Sequence, residues 1–320
     1  MSDVYPLKFQ PIYKPKIWGG RNLERLFDRS LPAQEKIGES WELADLTEGV
    51  SIAVNGPDAG VTLTELTARW GADLLGGAGP MPDGRFPLLL KLLDANGILS
   101  LQVHPDEQAV EEIGGDAALK TECWYYVDSR QGYVYLGVKE GVTPEQFRQA
   151  VEEDRAEDVV RRIDVEAGDF HYLPAGTVHA LGPGLVVAEV QTPSDTTYRV
   201  TDWGRGREIH LERSMQCIRF DQTGQDAPGA EGETLLKTDH FNVAKRTIAA
   251  GEVASLPAGT CTALMILEGY GPMTLRHAGS IEPKVPLRQG GTVLVPAGVE
   301  AAVLSSESDA SWLEITLPTG

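Results

Sequence analysis

GDFHYLPAGTVHA, residues 168–180, reads as a strand, a Pro-Ala-Gly turn and a second strand. Residues 290–302, GGTVLVPAGVEAA, repeat it at an offset of 122: the leading Gly, the Pro-Ala-Gly and the final Ala coincide. In each copy the turn glycine is expected to need a positive φ. The copies differ at one chemically important position, where His179 in the first corresponds to Ala301 in the second. This pattern points to a duplicated β-domain with one working site and one structural copy. The competing reading is a chance match of a common turn.

The surrounding chain supports a β architecture. Glycine and proline, 35 and 20 residues, cut it into short pieces. Most of these read as strands: KFQPIYKPKIW, GYVYLGV, FHYLPAG, LVVAEVQT, ALMILEGYG and GTVLVPAG. Such spacing fits a sandwich or barrel. Helical signals are few. RNLERLF is one short helix. Thr62-Leu63-Thr64-Glu65 is a capping box that opens a second, expected to reach about Leu75. Thr143-Pro144-Glu145-Gln146 opens a third, expected to run with or without a break through RQAVEEDRAEDVVRR. The polar, glycine-rich QTGQDAPGAEGET, residues 222–234, reads as a linker.

The chain has 320 residues, enough for one large or two medium domains. Its net charge of −19 argues against nucleic acid and anionic membrane as partners. No apolar run is long enough to span a bilayer, and MSDVYPLKFQ lacks the layout of a secretory signal. Cys123, Cys217 and Cys261 show no metal-type pairing and suit reduced thiols. The expectation is a cytoplasmic protein, monomeric or homodimeric.

ILSLQVHPDE, Ile98 to Glu107, carries the next signal. As a strand it places Ser100, Gln102 and His104 on one face, within an apolar neighbourhood. Gln102 and His104 can therefore reach a single point. Glu122, in LKTECWYYV, opens an apolar strand, and burying its carboxylate requires a cation or hydrogen bonds. Alternatively it is a solvated strand end. His179 is either a hydrogen-bonded core residue or a third ligand. Together Gln102, His104, Glu122 and His179 form a candidate set for one divalent ion, with Gln102 the least usual member for zinc. Lys91, inside PLLLKLLD, either serves a site or snorkels to solvent. Arg199 either serves a site or pairs with Asp195 or Asp202.

The pattern G-D-x(4)-P-A-G-x-x-H from Gly168 to His179 resembles the second motif of cupin barrels. More specifically, PLLLKLLDANGILSLQVHPDE, LKTECWYYV, GDFHYLPAGTVHAL and VQTPSDTTYRVTDWGR occur in the order seen in type I mannose-6-phosphate isomerases, and IWGGRNL and IGESWELAD add to the likeness. The resemblance covers roughly residues 8–215 and is to the shorter bacterial form.

It implies a mainly β fold of duplicated cupin (jelly-roll-like) barrels with a few short helices. It implies a catalytic domain at 86–221 with a short helical insertion near 143–162, a degenerate cupin at 235–320, and an N-terminal segment, 1–85, packed on the catalytic barrel. The activity implied is zinc-dependent interconversion of mannose 6-phosphate and fructose 6-phosphate through an enediol, with one Zn²⁺ per chain on Gln102, His104, Glu122 and His179. Arg199 matches the family's catalytic arginine, and Lys91, Lys120 and Asp195 match polar residues of its pocket. On this reading Asp195, Lys120 and Arg199 are the catalytic candidates, with Lys91, Lys120 and Arg199 on the substrate. Cys123 stands where many members have Met and is expected to face away from Glu122. A metal-dependent dioxygenase and a non-catalytic sugar-phosphate-binding cupin are the alternatives.

Overall fold

A computed structural model describes residues 4–222 and 229–318. Contacts divide the chain into two units: Tyr13–Ser40 with Leu89–Asp226, and Met1–Ile12 with Trp41–Leu88 and Ala227–Gly320. The segment expected at 1–85 is thus shared between them. Of the linker expected at 222–234, residues 223–228 lie outside the described residues.

The first unit is built on β1 (Leu89–Ala95), β2 (Leu101–Val103), β3 (Glu122–Ser129), β4 (Tyr133–Val138), β5 (Val160–Asp164), β6 (Phe170–Leu173), β7 (His179–Leu181) and β8 (Leu185–Gln191). They form two layers, β1-β8-β3-β6 and β2-β7-β4-β5. This is a jelly roll. Ile12–Gly20 and Ile37–Leu43 extend the first layer beyond β1, and Tyr198–Thr201 extends the second beyond β2.

In the second unit are β9 (Asn242–Ile248), β10 (Val253–Ser255), β11 (Thr262–Glu268), β12 (Met273–Arg276), β13 (Lys284–Leu287), β14 (Thr292–Val295), β15 (Val303–Ser306) and β16 (Ala310–Thr316). Its layers run β9-β16-β11-β14 and β10-β15-β12-β13, the first unit's order with every label raised by eight. The repeat read from two thirteen-residue stretches therefore extends over a whole barrel. The six segments expected as strands all contain strands.

The registers align the two barrels residue by residue. Leu173 faces Glu122 on β3, and Val295, its counterpart, faces Thr262 on β11. Lys91, Glu189 and Trp124 lie in one cross-strand row, as do Ala244, Glu314 and Leu264 in the second barrel. The second barrel is filled by an apolar cluster that includes Leu264, Leu275, Leu304 and Trp312. Thr262 and Leu264 stand there in place of Glu122 and Trp124.

Local signals explain the helices. Both capping boxes form: Thr62 and Thr143 each accept from the backbone N–H three residues on, and Glu65 and Gln146 reciprocate. Two expectations are corrected. The helix from Thr62 stops at Trp70, where Gly71 takes φ +47°, and only a single further turn, Ala72–Leu75, follows. The helix from Thr143 stops at Glu152, and Val160–Asp164 is β5, not helix. Asp154 at φ +58° breaks it, and Val160 then pairs with Val138 on β4. Val160 is buried, and its β-branched side chain suits a place in the sheet.

The turn glycines also differ. Gly168 and Gly290, which lead the two repeats, share positive φ, at +97° and +71°. Within the Pro-Ala-Gly turns, Gly176 has φ +92°, whereas Gly298 is outside the left-handed region. Gly176→Ala should therefore lower stability by about 1–2 kcal/mol through backbone strain alone, while Gly298→Ala meets contacts no closer than 3.1 Å and should cost less. Thermal unfolding of the two variants side by side checks the order.

Candidate active site

The barrel registers bring the sequence candidates together. His179 on β7 faces Gln102 on β2, and Gln102 in turn faces Arg199 on the neighbouring strand. From the opposite layer, Glu122 projects at the start of β3. His104, Glu122 and His179 are all buried, and their candidate ligand atoms lie within 4.8 Å of one another. His179 Nε2 is 3.3 Å from Glu122 Oε1, and His104 Nε2 is 3.5 Å from Glu122 Oε2. Bonds of about 2.0–2.1 Å to a tetrahedral ion put neighbouring ligand atoms roughly 3.3 Å apart, and both histidine–carboxylate pairs have that spacing, so the group could hold a metal ion.

The protonation pattern fits as well. His104 Nδ1 donates to the Thr196 carbonyl at 2.9 Å and His179 Nδ1 to the Thr177 carbonyl at 2.8 Å. Backbone acceptors therefore fix both tautomers and turn both Nε2 lone pairs inward. Burial, followed for His104 by the Lys120 charge, holds both imidazoles below their usual value and neutral. Glu122 is fully buried, and neither of its oxygens has a hydrogen-bond donor among the described residues. Burial disfavours its charge, but Lys120 and the two histidines outweigh it and hold the carboxyl below the usual carboxylate range. Orphaned oxygens on an ionised buried carboxylate, facing two oriented lone pairs, are what a divalent cation satisfies.

Gln102 is half-buried, with its amide nitrogen 3.3 Å from His179 Nε2. Rotating the amide by half a turn would present its oxygen to the same point. Lys120, nearly buried, donates to His104 Nε2 at 3.0 Å and has its ammonium 3.0 Å from Glu122 Oε2. Its geometry towards Glu122 is off a hydrogen-bond direction, so that contact is electrostatic. Cys123 is buried and, by strand alternation, points away from Glu122. Burial, then the Glu122 charge, pushes its thiol up, as suits an inert core thiol.

Above this centre is a cavity of about 280 Å³. Lys91, Lys120, Arg199, Asp195 and Gln102 all line it, and so does Glu189. Two alternatives raised by the sequence fail. Lys91 does not snorkel: it lies on a central strand, 5 % exposed, and donates to Glu189 at 2.9 Å and Gln191 at 2.5 Å. Burial opposes its charge, but Glu189 and Glu39 outweigh that and hold it above the usual lysine value. Arg199 forms no ion pair with Asp195 or Asp202 among the described residues. Its Nη1 donates to the Glu208 carbonyl at 2.6 Å, and Asp202 is taken by Arg205 and Arg207. Asp195 is exposed at the rim.

Glu189 was not among the sequence candidates. Its two oxygens accept from Lys91 and from the Trp124 indole N–H, at 2.9 Å each. Burial, then the neighbouring Glu122, pushes it above the usual carboxylate value, and Lys91 opposes this. The signal was available in LVVAEVQT, a carboxylate in a β-branched run, the same pattern that singled out Glu122.

Comparison with known proteins agrees with this geometry. Residues 7–148 match the family "Phosphomannose isomerase type I, catalytic domain". A probable mannose-6-phosphate isomerase of Bacillus subtilis is 37 % identical over 283 residues, 84 % of this chain and 87 % of that protein. The mannose-6-phosphate isomerase of Streptococcus mutans is 34 % identical over 308 residues, covering 92 % and 94 %. The crystal structure of a mannose 6-phosphate isomerase from Bacillus subtilis superposes with a TM-score of 0.84 at 29 % identity, covering 97 % of this chain and 99 % of that one. The barrel order, the buried His-Glu-His group and these relatives place the chain in the type I phosphomannose isomerase family.

Proposed function

We propose that this chain interconverts mannose 6-phosphate and fructose 6-phosphate in the cytoplasm, using one Zn²⁺ held by His104, Glu122, His179 and Gln102. The observation that carries the reading is the buried carboxylate that accepts no hydrogen bond among the described residues and faces two oriented imidazole lone pairs, with only the Lys120 ammonium beside its Oε2. Catalysis is assigned to residues 86–221, and the cupin copy at 235–320 to a structural role. The names of the relatives supply the substrate; the cavity supplies the chemistry to hold it.

The isomerisation moves a proton between C2 and C1 and leaves an enediol between the two transfers. Held by one carboxylate and neutral ligands, a zinc ion would keep net positive charge and would supply Lewis-acid polarisation to the sugar's C1 and C2 oxygens. Lys120, whose ammonium lines the cavity beside His104 and Glu122, would give up its bond to the His104 Nε2 lone pair when a metal takes it, and is assigned to the same oxygens, where it holds or returns a proton. Arg199 presents its guanidinium to the cavity, with Nη1 spent on the Glu208 carbonyl and Nε buried without a partner among the described residues. In this proposal it stabilises developing negative charge and helps seat the substrate. Asp195 at the rim is assigned as the base that takes the carbon-bound proton. Lys91 contributes its charge to the phosphate end while remaining bonded to Glu189.

Metal-loaded protein should convert mannose 6-phosphate in a coupled isomerase assay, lose that turnover on chelation and regain it with Zn²⁺. Absence of turnover in fully loaded protein would remove the functional assignment, and turnover that survives complete metal removal would remove the zinc. In D₂O the product should acquire solvent deuterium, and its absence would exclude proton transfer through an enediol. Glu122→Gln and His179→Ala should each abolish stoichiometric zinc in metal analysis. Lys91→Met leaves Glu189 buried without its cation and should cost about 3–5 kcal/mol. Adding Glu189→Gln should recover most of that loss in thermal unfolding.

A further inference from the structure

We propose that His210 is a positioning residue for Arg199, a role that rests on the functional reading above. Arg199 lies on Tyr198–Thr201, the edge strand of its layer, paired only with β2 on one side. At such an edge the outward backbone groups have no strand to bond. His210 supplies both missing partners. Its backbone N–H donates to the Arg199 carbonyl at 2.8 Å. Its imidazole Nδ1 accepts from the Arg199 N–H at 3.1 Å. One residue thus stands in for a neighbouring strand, and two positions earlier the Glu208 carbonyl accepts from the Arg199 guanidinium at 2.6 Å.

His210 is itself fixed from both directions. It heads the helix Leu211–Cys217, and its carbonyl accepts from the Ser214 N–H at 2.8 Å and the Ser214 hydroxyl at 2.9 Å. Ser214 and Cys217 are fully buried, so that helix is anchored in the core. On the other side, buried Asp202 gathers Arg205 and Arg207, and Arg205 reaches the Ile98 carbonyl at 2.5 Å, beside the strand that carries Gln102. The segment from Asp202 to His210 therefore spans between β2 and the Arg199 backbone. Any residue but proline at 210 could supply the backbone donor; only one with an acceptor at the δ position can receive the Arg199 N–H. Asn offers such an oxygen and Ala does not.

The test uses full-length, zinc-loaded protein. His210→Ala should lower kcat roughly tenfold to a hundredfold, the scale of a misplaced catalytic group, with zinc content unchanged and KM moved less. His210→Asn should stay within about threefold of the parent. In an Arg199→Ala background, His210→Ala should add less than about twofold, because both changes act through one guanidinium. An unaltered kcat in His210→Ala, an Asn variant as impaired as the Ala variant, or effects that multiply with Arg199→Ala would each overturn the proposal. Amide exchange at Arg199 gives a readout without turnover: it should quicken in His210→Ala and hold in His210→Asn, and unchanged exchange in the Ala variant overturns the proposal too. A parent protein that shows no isomerase activity strikes the functional reading instead, and the exchange data then judge His210 on their own.

Discussion

Glu122 sits at zero exposure, and neither of its carboxylate oxygens accepts a hydrogen bond from the described residues. A carboxylate in that position must neutralise or be surrounded by positive charge and inward donors. The first barrel does the second. Lys120 is 3.0 Å away, two imidazoles offer lone pairs suited to a shared cation, and Lys91 adds its field from the next row. This requirement explains why so acidic a chain, at −19, collects lysine and arginine at one end of one barrel.

The second barrel shows what the same fold becomes without that requirement. Thr262 stands at the register position of Glu122, and Ala301 at the sequence position of His179. Leu264 replaces Trp124 and Ala244 replaces Lys91. Glu314 still corresponds to Glu189, and Arg246, two residues beyond Ala244 on the same strand, accompanies it. Where the first barrel has its central carboxylate, the second has an apolar cluster that includes Leu264 and Trp312. Burial of apolar surface then holds the barrel together with no help from a metal centre.

Much of the fold was legible in the chain because its signals are local. Pro-Ala-Gly turns, capping boxes at Thr62 and Thr143, and β-branched runs bounded by glycine each act over a few residues. Misreading began where a local signal lost to pairing. The charged stretch after Glu152 has helical composition, yet Val160 and Ile163 are claimed by β4. Lys91 and Glu189 show the same limit at the site. Each is an isolated charge in an apolar run, and only antiparallel pairing of β1 with β8 sets them opposite one another. Arg199 was legible as a residue, but its restraint by His210 was not, because the contact depends on the path of an irregular loop.

The sequence by itself determined the duplicated β architecture, the family, and His104, Glu122 and His179 as a group that could hold a metal ion, because alternation, turn chemistry and motif order are properties of neighbours along the chain. Tertiary structure alone decided the backbone partners that orient those histidines, the pairing of Lys91 with Glu189, and the hydrogen bond of Arg199 to the Glu208 carbonyl. Those outcomes depend on which backbone carbonyls and charges come within about 3 Å across strands, and such distances are set by register and loop path.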